Sequence, residues 1–156
     1  MHPRVREFSA QVERVYGLEL DVREFPEGTK TAADAAAAIG CDVSQIASSI
    51  VVSADGELAI AITSGANRVS FEKVCSLLEA TDVTMADSDE IADHLGWSIG
   101  GVPPLCHDNP VPILFDETLL VHETVWAAAG TPQAVFPIAP ELLVDYSDAR
   151  VADVAE

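Results

Sequence analysis

The chain contains little positive charge. Among its 156 residues, 8 are Lys or Arg and 26 are Asp or Glu, so the formal net charge is -18, and Lys30 and Lys73 are the two lysines. Because the basic residues are dispersed along the sequence, no basic patch is predicted, and tight binding to DNA or to another long nucleic acid backbone is disfavoured. The acidic residues are spread over the whole length while the apolar pattern stays intact, which argues against disorder. Such a composition is typical of a halophilic protein, because molar salt shortens the Debye length to roughly 3 Å and screens the repulsion.

Cysteine and histidine are also scarce. The 3 cysteines are an odd number without Cys-x-x-Cys spacing, and the 4 histidines form no His-x-x-x-His pair. Neither a disulfide framework nor a metal site is therefore expected. A nucleophilic Cys106 activated by His107 is disfavoured, since adjacent side chains on an extended chain point to opposite faces. No apolar run approaches the roughly 20 residues that span a bilayer, and the charged start is no signal peptide, so we expect a cytoplasmic protein without a membrane segment.

The sequence does contain regular apolar patterns. With 49% hydrophobic residues over its length, the chain is predicted to form a single domain over residues 1–156. Apolar residues at helical spacing predict helices over 3–16, 31–40, 71–78, 88–95 and 140–146. Apolar and β-branched runs predict strands over 20–25, 49–53, 58–63, 82–85, 111–115, 124–129 and 134–138, with Asp55-Gly56 as a hairpin turn. Helices mixed with hairpin-like strands predict an α+β fold with a mixed β-sheet, partly barrel-like and flanked by helices.

Several segments together carry a resemblance to a known family. They are the alanine-rich helix 31–40, the segment 45–52 leading into a strand, the helix containing Lys73, the loop Gly100-Gly101-Val102-Pro103-Pro104, the strand 112–116 with the residues 117–120, and Ala129-Gly130. Each is common alone, but their order and spacing are specific and span nearly the whole chain. On these segments the chain resembles the YbaK-like family, which includes the editing domain inserted in bacterial prolyl-tRNA synthetases and its free-standing relatives.

The resemblance implies a trans-acting aminoacyl-tRNA deacylase. Members hydrolyse the ester that joins a wrongly attached amino acid to the terminal ribose of a tRNA, here an alanyl or cysteinyl ester in prolyl-tRNA-type editing. They use no metal or organic cofactor, their partner is the 3′ end of the aminoacyl-tRNA, and no stable protein partner is inferred. In such a site a small pocket holds the amino acid while backbone N–H groups stabilise the developing oxyanion.

The resemblance also assigns roles to residues. Catalytic roles fall on Ser48, Gly100 and Gly101. Substrate-binding roles fall on Thr31, Ser49, Val102, Pro103 and Asp116.

One position departs from the family pattern. The lysine that family members carry at the start of the strand falls on Ser48, and Ala128 and Val135 replace a serine and an aspartate found in other members. Losing such a cation should lower the rate on the order of 10²–10³-fold if it contributes as one oxyanion donor does. Three substitutes are open: a group of the substrate itself, a water oriented by Ser48 and Ser49, or Lys30 as a substitute cation.

Structural roles remain open for the same residues. Ser48 and Ser49 can be ordinary strand-start residues, and Thr31 is first of all a helix cap. Asp116 can either face the pocket or end its strand and cap the turn at Glu117. The glycine pair at 100–101 can form a plain turn. Trp97 and Trp126 are predicted to lie in the core and not to serve as base-stacking platforms.

Two rival functions follow from these alternatives. A family member that has lost hydrolysis would keep the pocket as a binding module for an aminoacyl or nucleotide-like ligand. A protein-binding scaffold would instead expose an apolar patch and lack a cleft beside Gly100.

Overall fold

The structure, a computed structural model, describes residues 1–25 and 31–156. Within these ranges the helices are α1 (Pro3–Tyr16), α2 (Ala32–Ile39), α3 (Phe71–Leu78), α4 (Ser88–Leu95) and α5 (Pro140–Ser147). The strands are β1 (Arg23–Glu24), β2 (Ile46–Ala54), β3 (Glu57–Ser64), β4 (Val83–Met85), β5 (Ile113–Asp116), β6 (Val125–Ala128), β7 (Ala134–Ile138) and β8 (Arg150–Ala152). Short 3₁₀ segments lie at Val43–Gln45 and Glu117–Val121. Across these two ranges no helix is both long and apolar enough to cross a membrane.

The strands form one mixed sheet. Its order is β1-β7-β6-β2-β3-β5-β8, and β4 pairs with β2 beside this path. The β2–β3, β2–β4, β6–β7 and β1–β7 pairs are antiparallel, whereas β2–β6, β3–β5 and β5–β8 are parallel. The predicted α+β fold with a mixed sheet and flanking helices is confirmed, and the partly barrel-like sheet is not closed.

Local signals in the sequence position most elements. Thr31 caps α2 by accepting the Asp34 N–H, and Ser70 caps α3 by accepting the Lys73 N–H. The hairpin turn has positive φ at both Asp55 and Gly56, as a type I′ turn requires. These caps and this turn agree with the sequence prediction.

The core lies on both faces of the sheet. One large cluster packs α1, α4 and α5 against the sheet, and Phe8 contacts both Trp97 and Phe136. A second cluster packs α3 against β2, β3 and β5. A third, smaller cluster lies under α2 and contains Ala35, Ala36, Ile46, Trp126 and Val135. This third cluster positions the candidate site.

Candidate functional site

A cavity of about 270 Å³ opens where β2 separates from its neighbours. β6 pairs with β2 at Ile46 and Ala47, and β4 pairs with it from Val52 onward. Between these two pairings the edge of β2 faces the cavity. The lining comes from α2, β2, β4, α4, β6 and β7, and from loop residues at 99, 100, 102, 131 and 132.

One wall of the cavity is built from small residues of α2. Ala32 and Ala35 line it, and Thr31 lines it at the start of the helix. A Cβ added to Gly65 would lie 2.7 Å from the Ala32 Cβ and 2.7 Å from the Val43 carbonyl oxygen, so the backbones approach closely here. Bulky side chains would prevent that approach. The alanine run therefore brings α2 close to the strand, as the sequence predicted.

The register of β2 leaves polar groups of Ser49 without a strand partner. The Gly65 N–H donates to the Ile46 carbonyl, so even-numbered residues of β2 exchange hydrogen bonds with β3. The N–H and C=O groups of the odd-numbered residues point to the other edge of β2, where the Val51 carbonyl accepts the Ala86 N–H. Ser49 lies in the gap between β6 and β4, so its N–H and C=O face the cavity. Its hydroxyl is also buried without a hydrogen-bond partner among the described residues.

Ser48 lies on the opposite face of β2 from Ser49. It shares the α2 face with Ile46, because alternate residues of a strand point to the same side. Ser48, Ala128 and Val135 all line the cavity. No basic side chain contributes to the described part of the lining, so nothing there occupies the place of the missing cation.

Of the two glycines at 100–101, Gly100 lines the cavity and Gly101 does not. Gly100 lines it with φ +87, in a turn closed by the Gly101 N–H donating to the Ser98 carbonyl at 3.1 Å. The Gly101 N–H is therefore committed to the turn and is not available to an oxyanion in this conformation. A Cβ at Gly101 would lie 2.6 Å from the Thr131 Cα, so close packing against Thr131 requires a glycine at this position. Of the two glycine N–H groups predicted to stabilise the oxyanion, only that of Gly100 has no hydrogen bond within the described residues.

The residues that follow the glycines divide between cavity and scaffold. Val102, 4% exposed, lines the cavity. Pro103 does not line it, and its carbonyl oxygen lies 2.7 Å from the His107 Nε2. Burial lowers the pKa of His107 despite this contact and the nearby Asp108. Pro103 thus orders the loop behind the cavity instead of contacting a ligand in it.

Asp116 lies outside the cavity and has the structural role that the sequence left open. It is fully buried, and it accepts hydrogen bonds from the Ser64 N–H, the Asn67 Nδ2, the Thr118 N–H and the Thr118 hydroxyl at 2.8–3.0 Å. Burial by itself raises the pKa of a carboxyl, but these hydrogen bonds hold the pKa of Asp116 below its ordinary value. Asp116 thus caps the 3₁₀ segment at Glu117–Val121, which is the structural alternative to the predicted substrate contact.

Two more of the predicted site residues directly precede α2 in the sequence. Thr31 lines the cavity, but its hydroxyl accepts the Asp34 N–H at 3.1 Å and so serves the helix cap. Lys30, the predicted substitute cation, lies outside the described residues.

With this geometry in place, comparison with known proteins decides the family. A family model for the aminoacyl-tRNA editing domain matches residues 26–146, which include all the lining strands and helices. The chain belongs to the aminoacyl-tRNA editing domain family.

Relatives of this editing domain occur both alone and inside a larger enzyme. The chain is 30% identical over 138 residues to the uncharacterized protein YwhH of Bacillus subtilis (strain 168), covering 87% of each chain. It is also 30% identical over 118 residues to the proline–tRNA ligase of Bacillus licheniformis, covering 73% of this chain but 20% of the ligase. A solved structure described as a proposed trans-editing enzyme for prolyl tRNA synthetase matches with a TM-score of 0.94 and 36% identity, over 100% of this chain and 99% of that one.

The cavity is also lined by residues that the sequence analysis did not assign to the site. Trp126, Thr131 and Pro132 line the cavity, together with the exposed apolar side chains of Met85 and Ile99. Trp126 is 8% exposed, so it belongs both to the core and to the lining. Its role follows from the order of strands in the sheet, which no local pattern in the sequence reveals.

Two of the three cysteines of the editing domain have a raised thiol pKa, which disfavours their thiolate form. Burial raises the pKa of Cys106 to about 11, although Arg14 nearby lowers it. Burial and the neighbouring Asp42 also raise the pKa of Cys41. Neither residue lines the cavity at Ser48. In the part of the chain that the structure describes, no group of three or more His, Cys, Asp and Glu side chains is arranged to hold a metal.

Proposed function

We propose that this editing domain is a trans-acting deacylase that hydrolyses the ester of a mischarged tRNA. The observation that carries the proposal is the convergence of α2, the unpaired edge of β2 at Ser49 and the Gly100 turn on one small cavity. The similarity to a proposed trans-editing enzyme over the whole chain supports action on a tRNA supplied by a separate synthetase.

The shape and polarity of the cavity favour a small aminoacyl group. Its volume of about 270 Å³ and its largely apolar lining suit an alanyl or cysteinyl side chain in prolyl-tRNA-type editing. The C=O and hydroxyl of Ser49 can accept hydrogen bonds from the ammonium group of the amino acid. The unpaired groups of Ser49 would gain partners from the substrate, and burying them without partners costs free energy.

Hydrolysis requires stabilisation of the negative charge that develops on the carbonyl oxygen when water adds to the ester. Water adds to the carbonyl carbon, the bond to the ribose oxygen breaks, and the proton of the water passes to that oxygen. The N–H of Gly100 takes no part in the hydrogen bond of its turn, and the N–H of Ser49 faces the cavity, so these two donors are available to the oxyanion. A substrate hydroxyl or amine, or the Ser48 hydroxyl, orients the water.

The deciding assay measures deacylation of alanyl- and cysteinyl-tRNA in high potassium chloride. Cleavage of either ester faster than in buffer alone is expected. If the protein stays folded and cleaves neither, the enzymatic proposal fails.

A second candidate function rests on the absence of a cation from the described lining. A family member without hydrolysis would keep the cavity as a binding module for an aminoacyl or nucleotide-like ligand. Ser48→Lys separates the two functions, with Thr84→Lys on the exposed part of β4 as a control for the added charge. Activity that appears only in Ser48→Lys supports the binding module, whereas an active parent supports the deacylase.

A further inference from the structure

We propose that Arg23, stacked on Trp126, binds the phosphate that precedes the terminal ribose of the substrate RNA. The inference rests on the proposed function and adds a cation that the sequence did not assign to the site. It identifies a phosphodiester as the ligand of this arginine.

The sheet brings Arg23 to the edge of the cavity. β1 pairs antiparallel with β7 so that Arg23 lies opposite Val135. Residues directly opposite in such a pair share one face of the sheet. Val135 lines the cavity and packs in the cluster under α2, so Arg23 lies on the same face as Ser48 and beside the same cavity.

The arginine side chain contacts one of the residues that line the cavity. Its guanidinium carbon lies 4.9 Å from the centre of the Trp126 ring, and Trp126 lines the cavity. A guanidinium stacked on an aromatic ring keeps its N–H groups in the plane of the stack, where they can donate two parallel hydrogen bonds to a phosphate. The tryptophan thus holds the cation in place without using its donors.

The acidic partner of Arg23 is weakly bound. The Asp21 carboxylate lies 3.8 Å from the guanidinium, and the two side chains are 73% and 51% exposed. Exposed ion pairs at this distance contribute little to stability. A phosphate can therefore displace the Asp21 carboxylate from Arg23. No hydrogen bond from the Arg23 guanidinium to another described residue accompanies this pair.

Other cations with described contacts are committed elsewhere. Lys73 contacts Asp153 and the Ala155 carbonyl, Arg150 donates to the Leu77 carbonyl, and Arg4 contacts Glu7 and the Gly96 carbonyl. In this chain of net charge -18, Arg23 is a cation that lies beside the cavity with only a weak acidic partner. An aminoacyl ester in the cavity places the 5′ phosphate of the same nucleotide one ribose away, near the rim. Arg23 therefore supplies positive charge that Ser48 does not.

The test measures binding of an RNA hairpin of a tRNA acceptor stem with an unacylated 3′-CCA end, by fluorescence anisotropy over a range of salt. Arg23→Gln should weaken binding roughly tenfold, since a charge-assisted hydrogen bond is lost. It should also reduce the slope of log affinity against log salt by about 0.7, the value for one phosphate contact on a single strand. Arg23→Lys keeps the charge without the planar stack and should give an intermediate affinity.

The controls separate a local phosphate contact from general charge. Arg6→Gln removes the same charge from an exposed position on α1 and should leave the affinity nearly unchanged. Binding of adenosine, which has no phosphate, should be the same for Arg23→Gln and the parent. Equal RNA affinity of Arg23→Gln and the parent, or equal losses in Arg23→Gln and Arg6→Gln, overturns the proposal.

The deacylation assay distinguishes this failure from that of the proposed function. RNA binding that depends on Arg23 without ester cleavage leaves the phosphate site standing and removes the deacylase. Ester cleavage with equal kcat/KM for Arg23→Gln and the parent removes the phosphate site and leaves the deacylase.

Discussion

Two buried polar regions of this protein differ in how their hydrogen bonds are used. Around Asp116, both carboxylate oxygens accept hydrogen bonds from Ser64, Asn67 and Thr118. At Ser49, the hydroxyl has no partner within the described chain, and the backbone groups face a gap between strands. Both residues were sequence candidates for substrate contact.

The difference separates scaffold from site. A buried polar group with all its partners inside the protein stabilises the fold, whereas a buried group without partners costs free energy unless a ligand or water supplies them. Asp116 ties the end of β3 to the 3₁₀ segment after β5. Ser49 instead offers its groups to the cavity. The comparison predicts that substitution of Asp116 lowers the free energy of unfolding, whereas substitution of Ser49 does not.

The largest expected effect is on the stability of Asp116→Ala. Removing the carboxylate leaves the buried Ser64 N–H without its acceptor, which costs about 1–3 kcal/mol. The half-buried Asn67 amide and the exposed Thr118 N–H also lose a hydrogen bond, at about 0.5–1.5 kcal/mol each. We expect a loss of about 2–4 kcal/mol in the free energy of unfolding, measured by chemical denaturation. Asp93→Ala, at an exposed position of α4, should change it by less than about 0.5 kcal/mol. A loss no larger than that of Asp93→Ala would show that Asp116 does not support the fold.

The second-largest expected effect is the pH dependence of the stability that the Asp116 carboxylate contributes. Hydrogen bonds hold the pKa of Asp116 below its ordinary value, so its contribution is present above the unfolded pKa of about 3.9 and is lost as the pH falls through the folded pKa. The stability gap between the parent and Asp116→Asn should therefore be widest near neutral pH and shrink in acid. Denaturation at several pH values measures it. If the difference in the free energy of unfolding between the parent and Asp116→Asn is the same at neutral and acidic pH, the fold does not favour the ionised form of Asp116.

Much of the fold is predictable because its signals are local. The caps at Thr31 and Ser70, the stop at Gly96 and the Asp55-Gly56 turn each act within a few residues. The strand β8 (Arg150–Ala152) was missed, since three half-exposed residues show no clear periodicity. The predicted strand 20–25 shrinks to β1, because pairing with β7 is limited to two residues.

The candidate site is only partly predictable, because it depends on the order of the strands. The sequence indicated Ser48, Ser49 and Gly100, and these three line the cavity. It could not show that Ser49 lies between the pairings of β6 and β4, nor that the sheet brings Arg23 beside Trp126. The role of Gly101 was also hidden, since its contact with Thr131 joins two distant loops.

The smallest expected change in stability is that of Ser49→Ala. Removing a buried hydroxyl that has no partner should leave the free energy of unfolding unchanged or raise it by up to about 1 kcal/mol. The same substitution should lower kcat/KM for ester cleavage roughly tenfold, because one hydrogen bond to the substrate is lost. Chemical denaturation and deacylation kinetics on one preparation measure both quantities.

A control on the same strand makes the Ser49 result specific. Ser53 lies on the same face of β2 beyond the cavity, where the strand pairs with β4. Ser53→Ala should leave kcat/KM unchanged, because its hydroxyl is remote from the ligand. If Ser49→Ala instead lowers stability by more than about 1 kcal/mol and leaves kcat/KM unchanged, Ser49 belongs with Asp116 to the scaffold. The distinction between satisfied and unsatisfied buried groups would then not locate the site in this fold.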